Sequence, residues 1–398
     1  MVERSGPPPT LESCRPPSPD PAIEELASGL EVIWDLAPVP DGRLFLTERP
    51  GRIRVIEDGV LQVEPWFELD VEAREEAGLL GMTLSRDFDQ TGHLFVVSTH
   101  LRPPPAGGAP VIGRVLRSLR ARVAGDRGTA VINRVHRITD HEGRGTDPVL
   151  WIDGLPSGIL HAGGALLTLP SGDLLVSLGD GMDPWRAQQP SSLRGSILRV
   201  PVGPQPPPSG RLHASEHLVA LGVRNSQGMT FVGADSTEIL FIDHGPVGRD
   251  ELNRLERGAN FGWPAEAGIV DEPRFTPPLV EWTPSIAPGG IASRVGGHFD
   301  ESSEEASQES SGEIARVWVT GLGGQVLVEV RLARATGPGT EWRAICQDTI
   351  LSGEYGRLRA IAPAPDGGLF VGTSNQDGRG IPREGGDRVL HLRWDSDL

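Results

Sequence analysis

PSGDLLVSLG, residues 170–179, is the stretch that decides the fold. Its Pro and Gly belong to a tight turn, because Pro presets φ and Gly accepts left-handed backbone, and the short apolar run LLVSL behind them has the length of one strand. The same turn-then-run unit recurs as PDGRLFLT (40–47), QTGHLFVVS (90–98), ADSTEILFID (234–243) and PDGGLFVGTS (365–374). A weaker copy, GEIARVWVTG (312–321), has an acidic lead-in instead of the turn. Each copy precedes, after a variable loop, a second β-like run: GRIRVI at Gly51, RVLRSL at Arg114, GSILRV at Gly195, DELNRL at Asp250, QVLVEV at Gln325 and RVLHLR at Arg388. Units of roughly sixty residues with several strands each cannot bury their faces alone, and packing them radially solves that problem. The expectation is an all-β chain, a six-bladed β-propeller of four-stranded antiparallel blades. A pair of β-sandwiches is the rival, disfavoured because sandwiches seldom repeat one turn so faithfully. In a propeller, loops distant in sequence meet at one mouth of a central channel.

The rest of the composition agrees. Among 398 residues, 52 Gly and 36 Pro suit many short strands joined by turns. A net charge of −17 with no basic stripe argues against nucleic acid and anionic lipid as partners. No apolar run is long enough to cross a bilayer. Every basic residue other than His is Arg, which removes Schiff-base chemistry by a lysine. Residues 1–21 read as an unfolded, Pro-rich tail ahead of a single domain, 22–398. That tail lacks the apolar core of a secretory signal, leaving a cytoplasmic protein or one whose leader is not part of this sequence. Cys14 and Cys346 are too few for a disulfide framework, Cys14 lies in the tail, and the redox compartment cannot be read from them. The acidic run from Asp300 to Glu313 reads as a solvated loop, and PVGPQPPPSG (201–210) as a stiff connector.

Several motifs carry chemistry. LHAGGAL sets His161 before Gly163 and Gly164, where missing side chains let a flat ligand approach, although a lone histidine is usually structural. Nineteen residues on, LLVSLGDG ends at Asp180, a carboxylate able to fix an imidazole tautomer if the two meet. ALGVRNSQG offers Arg224, a permanent cation suited to a developing oxyanion, beside Asn225. DHGPVGRDELN combines the Gly245-Pro246 turn with Asp250 and Glu251, oxygen donors of the kind hard cations such as calcium want; a solvated acidic turn is the plainer reading. EYGRLRAI places Arg357 and Arg359 on one face of a strand, where two guanidiniums call for an anion between them or for carboxylate partners of their own.

The order of these motifs resembles the soluble, pyrroloquinoline quinone (PQQ)-dependent glucose and aldose sugar dehydrogenase family. The string is TERPGRI, EEAGLLGM, LHAGG, GDG with AQQPSSLRGSILRV, GVRNSQG, DHGPVGRDELN, GANFGWP, SIAPGG and GRLRAIAPAPDGGLFVGTSN, from about Leu30 to the C-terminus. The resemblance implies that His161 is the general base for the anomeric hydroxyl and that Asp180 orients it. It implies that Arg224 and Asn225 flank the quinone oxygens, that Glu76 contacts substrate or cofactor, and that Arg357 and Arg359 hold PQQ carboxylates. Backbone carbonyls of Gly245 and Pro246 would bind the calcium that polarises the quinone, and Glu251, with the backbone near Phe261, would belong to a second, structural calcium site. Aldose, an external electron acceptor and a periplasmic or secreted location follow by the same resemblance, for a monomer or a homodimer. Where the family presents a lysine near the cofactor, this chain has Gly323. Two other functions fit a propeller: a non-catalytic binder that has lost the cofactor, favoured by the absent lysine, and a calcium-dependent lactonase, disfavoured because the carboxylates cluster in one loop.

Overall fold

Each of the six repeated runs becomes the second strand of its own antiparallel sheet. The computed structural model describes residues 11–103, 131–207, 212–233, 238–265, 275–299, 312–335 and 340–394. Blade 1 comprises Ile33–Pro38, Leu44–Glu48, Arg52–Glu57 and Val60–Leu61, with Phe67–Glu68 also pairing to the third strand. Blade 2 comprises Leu79–Leu84, His93–Leu101, Val131–His141 and Arg144–Pro156, and blade 3 Gly163–Thr168, Leu174–Leu178, Ser196–Val200 and Leu218–Leu221. Blade 4 comprises Gly228–Val232, Glu238–Asp243, Asp250–Arg254 and Val280–Trp282. Blade 5 comprises Pro288–Phe299, Gly312–Gly321, Val326–Ala335 and Arg343–Ser352. Blade 6 comprises Leu358–Pro363, Leu369–Thr373 and Asp387–Arg393, and takes its outermost strand, Ala22–Leu30, from the other end of the chain. The six-bladed propeller is what the repeats imply.

The turns explain the repetition. In blade 3, the Leu169 amide bonds the Asp173 carbonyl and the Gly172 amide bonds Leu169; Val39, Gly42 and Arg43 repeat this in blade 1, and Ala364, Gly367 and Gly368 in blade 6. Gly42, Gly172 and Gly367 take φ of 96°, 92° and 91°, the left-handed region where a side chain is strained. The second strands are buried on both faces, so Leu44–Glu48 and Leu174–Leu178 read as continuous runs without polar alternation. Apolar side chains then fill the spaces between blades. Phe95 and Trp151 of blade 2 pack with Leu166 and Leu178 of blade 3, and Leu327 of blade 5 packs with Val371 and Leu390 of blade 6. Each such fully buried side chain contributes about 1.5–3 kcal/mol.

Three expectations need correction. RVLRSL at Arg114 lies outside the described residues, and the strand that pairs with His93–Leu101 is Val131–His141. The tail is not unfolded throughout. Residues 11–21 run along the outer edge of blade 5, where Cys14 forms a disulfide with Cys346 and is buried. The Gln347 amide bonds the Glu12 carbonyl at 2.9 Å, and the two carboxylate oxygens of Asp348 accept the Cys14 and Ser18 amides at 3.1 and 2.9 Å. One disulfide needs no framework, only two cysteines that folding brings together, and composition could not reveal that. Finally, Arg357 precedes the strand Leu358–Pro363 that holds Arg359, so the two do not share a strand face. Of the acidic run, residues 300–311 lie outside the described residues, while Gly312 and Glu313 open blade 5's second strand.

Candidate active site

The six innermost strands run in the same direction, so the loops entering them gather at one mouth of the channel. His161 sits in the loop leading to Gly163–Thr168 with φ of 54°, and a Cβ on Gly179 would run into its carbonyl, so that turn seats only against glycine. Its Nδ1 lies 2.7 Å from Asp180 Oδ1. Asp180 also accepts the Met182 amide on Oδ1 and the Trp263 indole N–H on Oδ2, each at 2.8 Å. Burial pushes the Asp180 pKa up, but the His161 hydrogen bond and charge, the Met182 amide and the Trp263 indole outweigh it, and the group stays below the usual carboxylate range. An ionised carboxylate only accepts, so Nδ1 must carry the proton. In the neutral form of the ring Nε2 then carries the lone pair, and it has no protein partner among the described residues.

Glu76 ties this loop to three other blades. Its Oε2 accepts the His161 amide at 2.9 Å, Asn225 Nδ2 at 3.0 Å and Gln227 Nε2 at 3.4 Å, and its Oε1 meets Arg379 Nη1 at 3.2 Å. Burial alone would raise its pKa; the charges of His244, His161, Arg379 and Arg359 reverse the sign and hold it low. Gln227 in turn accepts from Arg359 Nη1 at 2.8 Å. The Arg359 guanidinium stacks 4.0 Å from the Trp34 ring centroid, and burial lowers its pKa to about 10. Arg357 is held by Asp377, with Nε and Nη2 both 2.8 Å from Oδ2, and donates to the Leu322 carbonyl. Asp377 also caps the Arg379 amide at 2.9 Å.

A second cluster adjoins the first. Arg224 packs over Trp263, donates from Nη1 to the His244 carbonyl at 3.2 Å, and keeps a buried Nε with no hydrogen-bond partner among the described residues. The Arg224 and Asn225 amides bond the two oxygens of Asp243 at 2.8 and 2.6 Å. Asp243, His244, Gly245, Pro246, Glu251 and Phe261 line a small cavity with Arg224 and Trp263. Burial pushes Asp243 up to about 6, and burial followed by the charge of Asp243 pushes Glu251 up to about 8. These two carboxylates with raised pKa values sit on facing residues of neighbouring strands. Asn253 Oδ1, buried without a partner among the described residues, adds an oxygen beside them, since Asn253 Nδ2 bonds Glu251 at 3.1 Å. Asp250 is different: it accepts the Gly245 amide at 2.9 Å, the Ser285 hydroxyl at 2.5 Å and the Ala287 amide at 2.7 Å, and so closes the loop. Among the described residues no three His, Cys, Asp or Glu side chains form a metal-holding group, so a cation here would rely on two carboxylates, the amide oxygen and backbone carbonyls.

A model of the glucose/sorbosone dehydrogenase family matches residues 30–383. The chain belongs to that family. A glucose dehydrogenase-type oxidoreductase of Thermus thermophilus superposes with a TM-score of 0.72 at 35% identity, covering 94% of this chain and 99% of that one. The PQQ-bound aldose sugar dehydrogenase of Streptomyces coelicolor superposes with a TM-score of 0.70 at 27% identity, covering 95% and 99%. In sequence, an aldose sugar dehydrogenase of Escherichia coli is 24% identical over 89% of this chain and 91% of its own length.

In this glucose/sorbosone dehydrogenase family member the residues singled out in the sequence lie in one connected network. His161, Asp180, Glu76 and Asn225 meet directly; Arg224 joins through Trp263 and its own carbonyl, which accepts the Asp180 amide, Arg359 through Gln227, and Arg357 through Asp377 and Arg379. Gly245, Glu251 and Phe261 lie across Arg224 from them. Sequence reasoning missed Gln227, Trp263, Asp243 and His244, although each stood inside a motif it quoted. Arg379 and Asp377 were missed as well. Their signal was the Asp-Gly-Arg loop after blade 6's second strand, placed like the loop that carries Asp180.

Proposed function

We propose that the protein is a PQQ- and calcium-dependent dehydrogenase that oxidises the anomeric hydroxyl of an aldose to a lactone and passes the electrons to an external acceptor. The observation that carries this is the His161–Asp180 pair, an imidazole locked with its free nitrogen at a mouth ringed by guanidiniums. PQQ, when bound, supplies the two-electron oxidant that takes hydride from the anomeric carbon. His161 takes the hydroxyl proton at Nε2, and Asp180 stabilises the imidazolium that results. Arg357, Arg359 and the unpartnered Nε of Arg224 suit the anionic groups of the cofactor, with Asn225 and Glu76 as polar contacts. Asp243, Glu251 and the carbonyls of Gly245, Pro246 and Phe261 suit calcium, which would act as a Lewis acid or as a structural ion. The Cys14–Cys346 disulfide favours an oxidising compartment outside the cytoplasm.

Titrating the purified protein with PQQ and calcium, followed by visible absorbance and by dye reduction with aldoses, tests the reading. Saturable binding and sugar-dependent reduction are expected. Absence of both points to the second reading, a propeller that binds a ligand or protein without catalysis, which Gly323 in the lysine position favours.

A further inference from the structure

The channel holds a larger cavity beyond the candidate active site. Its volume is about 470 Å³, and its walls are the six innermost strands. Aliphatic and aromatic side chains dominate, Met82, Leu166 and Phe231 among them, with the hydroxyls of Thr83, Thr168 and Thr230 between them. Two groups separate it from the network at the mouth: Gln227, which bonds both Glu76 and Arg359, and Trp34, on which Arg359 stacks.

One carboxylate stands in this wall. Asp35 Oδ1 accepts the Leu36 amide and Oδ2 the Met82 amide, each at 2.8 Å, and no cationic side chain among the described residues pairs with it. An ionised carboxylate can accept about four hydrogen bonds, so half its capacity remains open to the cavity. The charged and ionisable groups around it are few. Arg86, exposed, lines the same cavity; Glu48, on the adjacent strand, is paired with Arg52 and Arg54; Arg359 lies across Trp34. Burial, opposed by the two amides, raises the Asp35 pKa to about 7.

We propose that this distal cavity is a second binding site, for a small organic ammonium ion whose charge pairs with Asp35 while its apolar body lies against Met82, Leu166 and Phe231. A divalent metal would want more oxygen ligands than one carboxylate and scattered hydroxyls. A sugar would want many polar partners where this wall offers few. An amphiphilic monocation uses the one charge and the apolar surface together.

The test uses the intact protein without PQQ, so failure of the proposed oxidation leaves it standing. Calorimetric titration with 2-phenylethylammonium at pH 8 is expected to show one saturable site with a Kd of about 1 mM or tighter, within reach for nine heavy atoms. Affinity should fall at least about ten-fold at pH 5.5, where Asp35 is protonated, and to a similar extent in Asp35→Asn. The neutral isostere 2-phenylethanol should bind at least about ten-fold more weakly than the ammonium, a comparison that needs no variant. No saturable binding, equal binding of the alcohol, or unchanged affinity at pH 5.5 overturns the proposal.

Discussion

The two ends of one channel, built from the same six strands, differ in how they treat buried charge. At the mouth, Asp180 has three hydrogen-bond donors and Glu76 four, and both are held in the ionised range. At the distal end Asp35 has two amides and, among the described residues, no counter-ion, and its pKa rises to about 7. Burial is the largest influence on all three. What separates them is the loops: the mouth receives inter-blade loops that carry His, Arg and Trp, whereas the turns 39–43, 169–173 and 364–368 at the other end are short and carry none of these beyond Arg43.

The sharpest attempt to break this contrast is His161→Gln. If the mouth is the catalytic end, turnover should drop by about 10²–10⁴-fold, because general-base help is of that size, while PQQ affinity is unchanged. Unchanged turnover would remove His161 from the reaction. Asp180→Asn replaces an obligatory acceptor with an amide that can also donate, so the Nδ1–H tautomer is no longer enforced. Turnover should fall roughly ten- to hundred-fold, and substrate KM should change less than kcat. Arg357→Ala should weaken PQQ binding about ten-fold, the loss of one charge-assisted contact, measured by absorbance titration. A wild-type dissociation constant would mean that Asp377 takes up the whole charge of Arg357.

The smallest effect belongs to the distal end and has a pH sign. The Asp35 pKa is raised from 3.8 to about 7, so the folded protein holds a proton that the unfolded chain releases. The stability this gives is present in full below pH 4 and is lost as pH rises through 7. Urea unfolding of the wild type should therefore show lower stability at pH 8 than at pH 5, and Asp35→Asn should reduce the difference, leaving the share that the raised Asp243 and Glu251 contribute with the same sign. Channel hydration tempers the size to on the order of 2 kcal/mol. Equal pH dependence in both proteins would show that Asp35 is solvated as well as the carboxylates at the mouth.

Much of this was legible in the chain. The repeated Gly turns and doubly buried second strands are local features, so six runs could be read directly as six blades. His161, Asp180, Arg224 and Glu251 stood in quoted motifs because short loops carry their residue types together. Arg379 and Gln227 act through partners about 300 and 150 residues away, and no local pattern records such pairings. Asp35 lies in an ordinary strand, IWDLAP, where only its place on the channel wall gives it meaning. The Cys14–Cys346 pairing is of the same kind.

The borrowed strand of blade 6 has a consequence for biosynthesis. Ala22–Leu30 leaves the ribosome long before its partner, Asp387–Arg393, has been made. Arg357, Arg359 and Arg379 emerge shortly before that partner. A nascent chain therefore has five blades and an open ring, with an edge strand lacking its mate, and the guanidinium side of the mouth does not yet exist. Closure and assembly of that pocket are one late event, so anything that binds there must load after synthesis rather than template the fold.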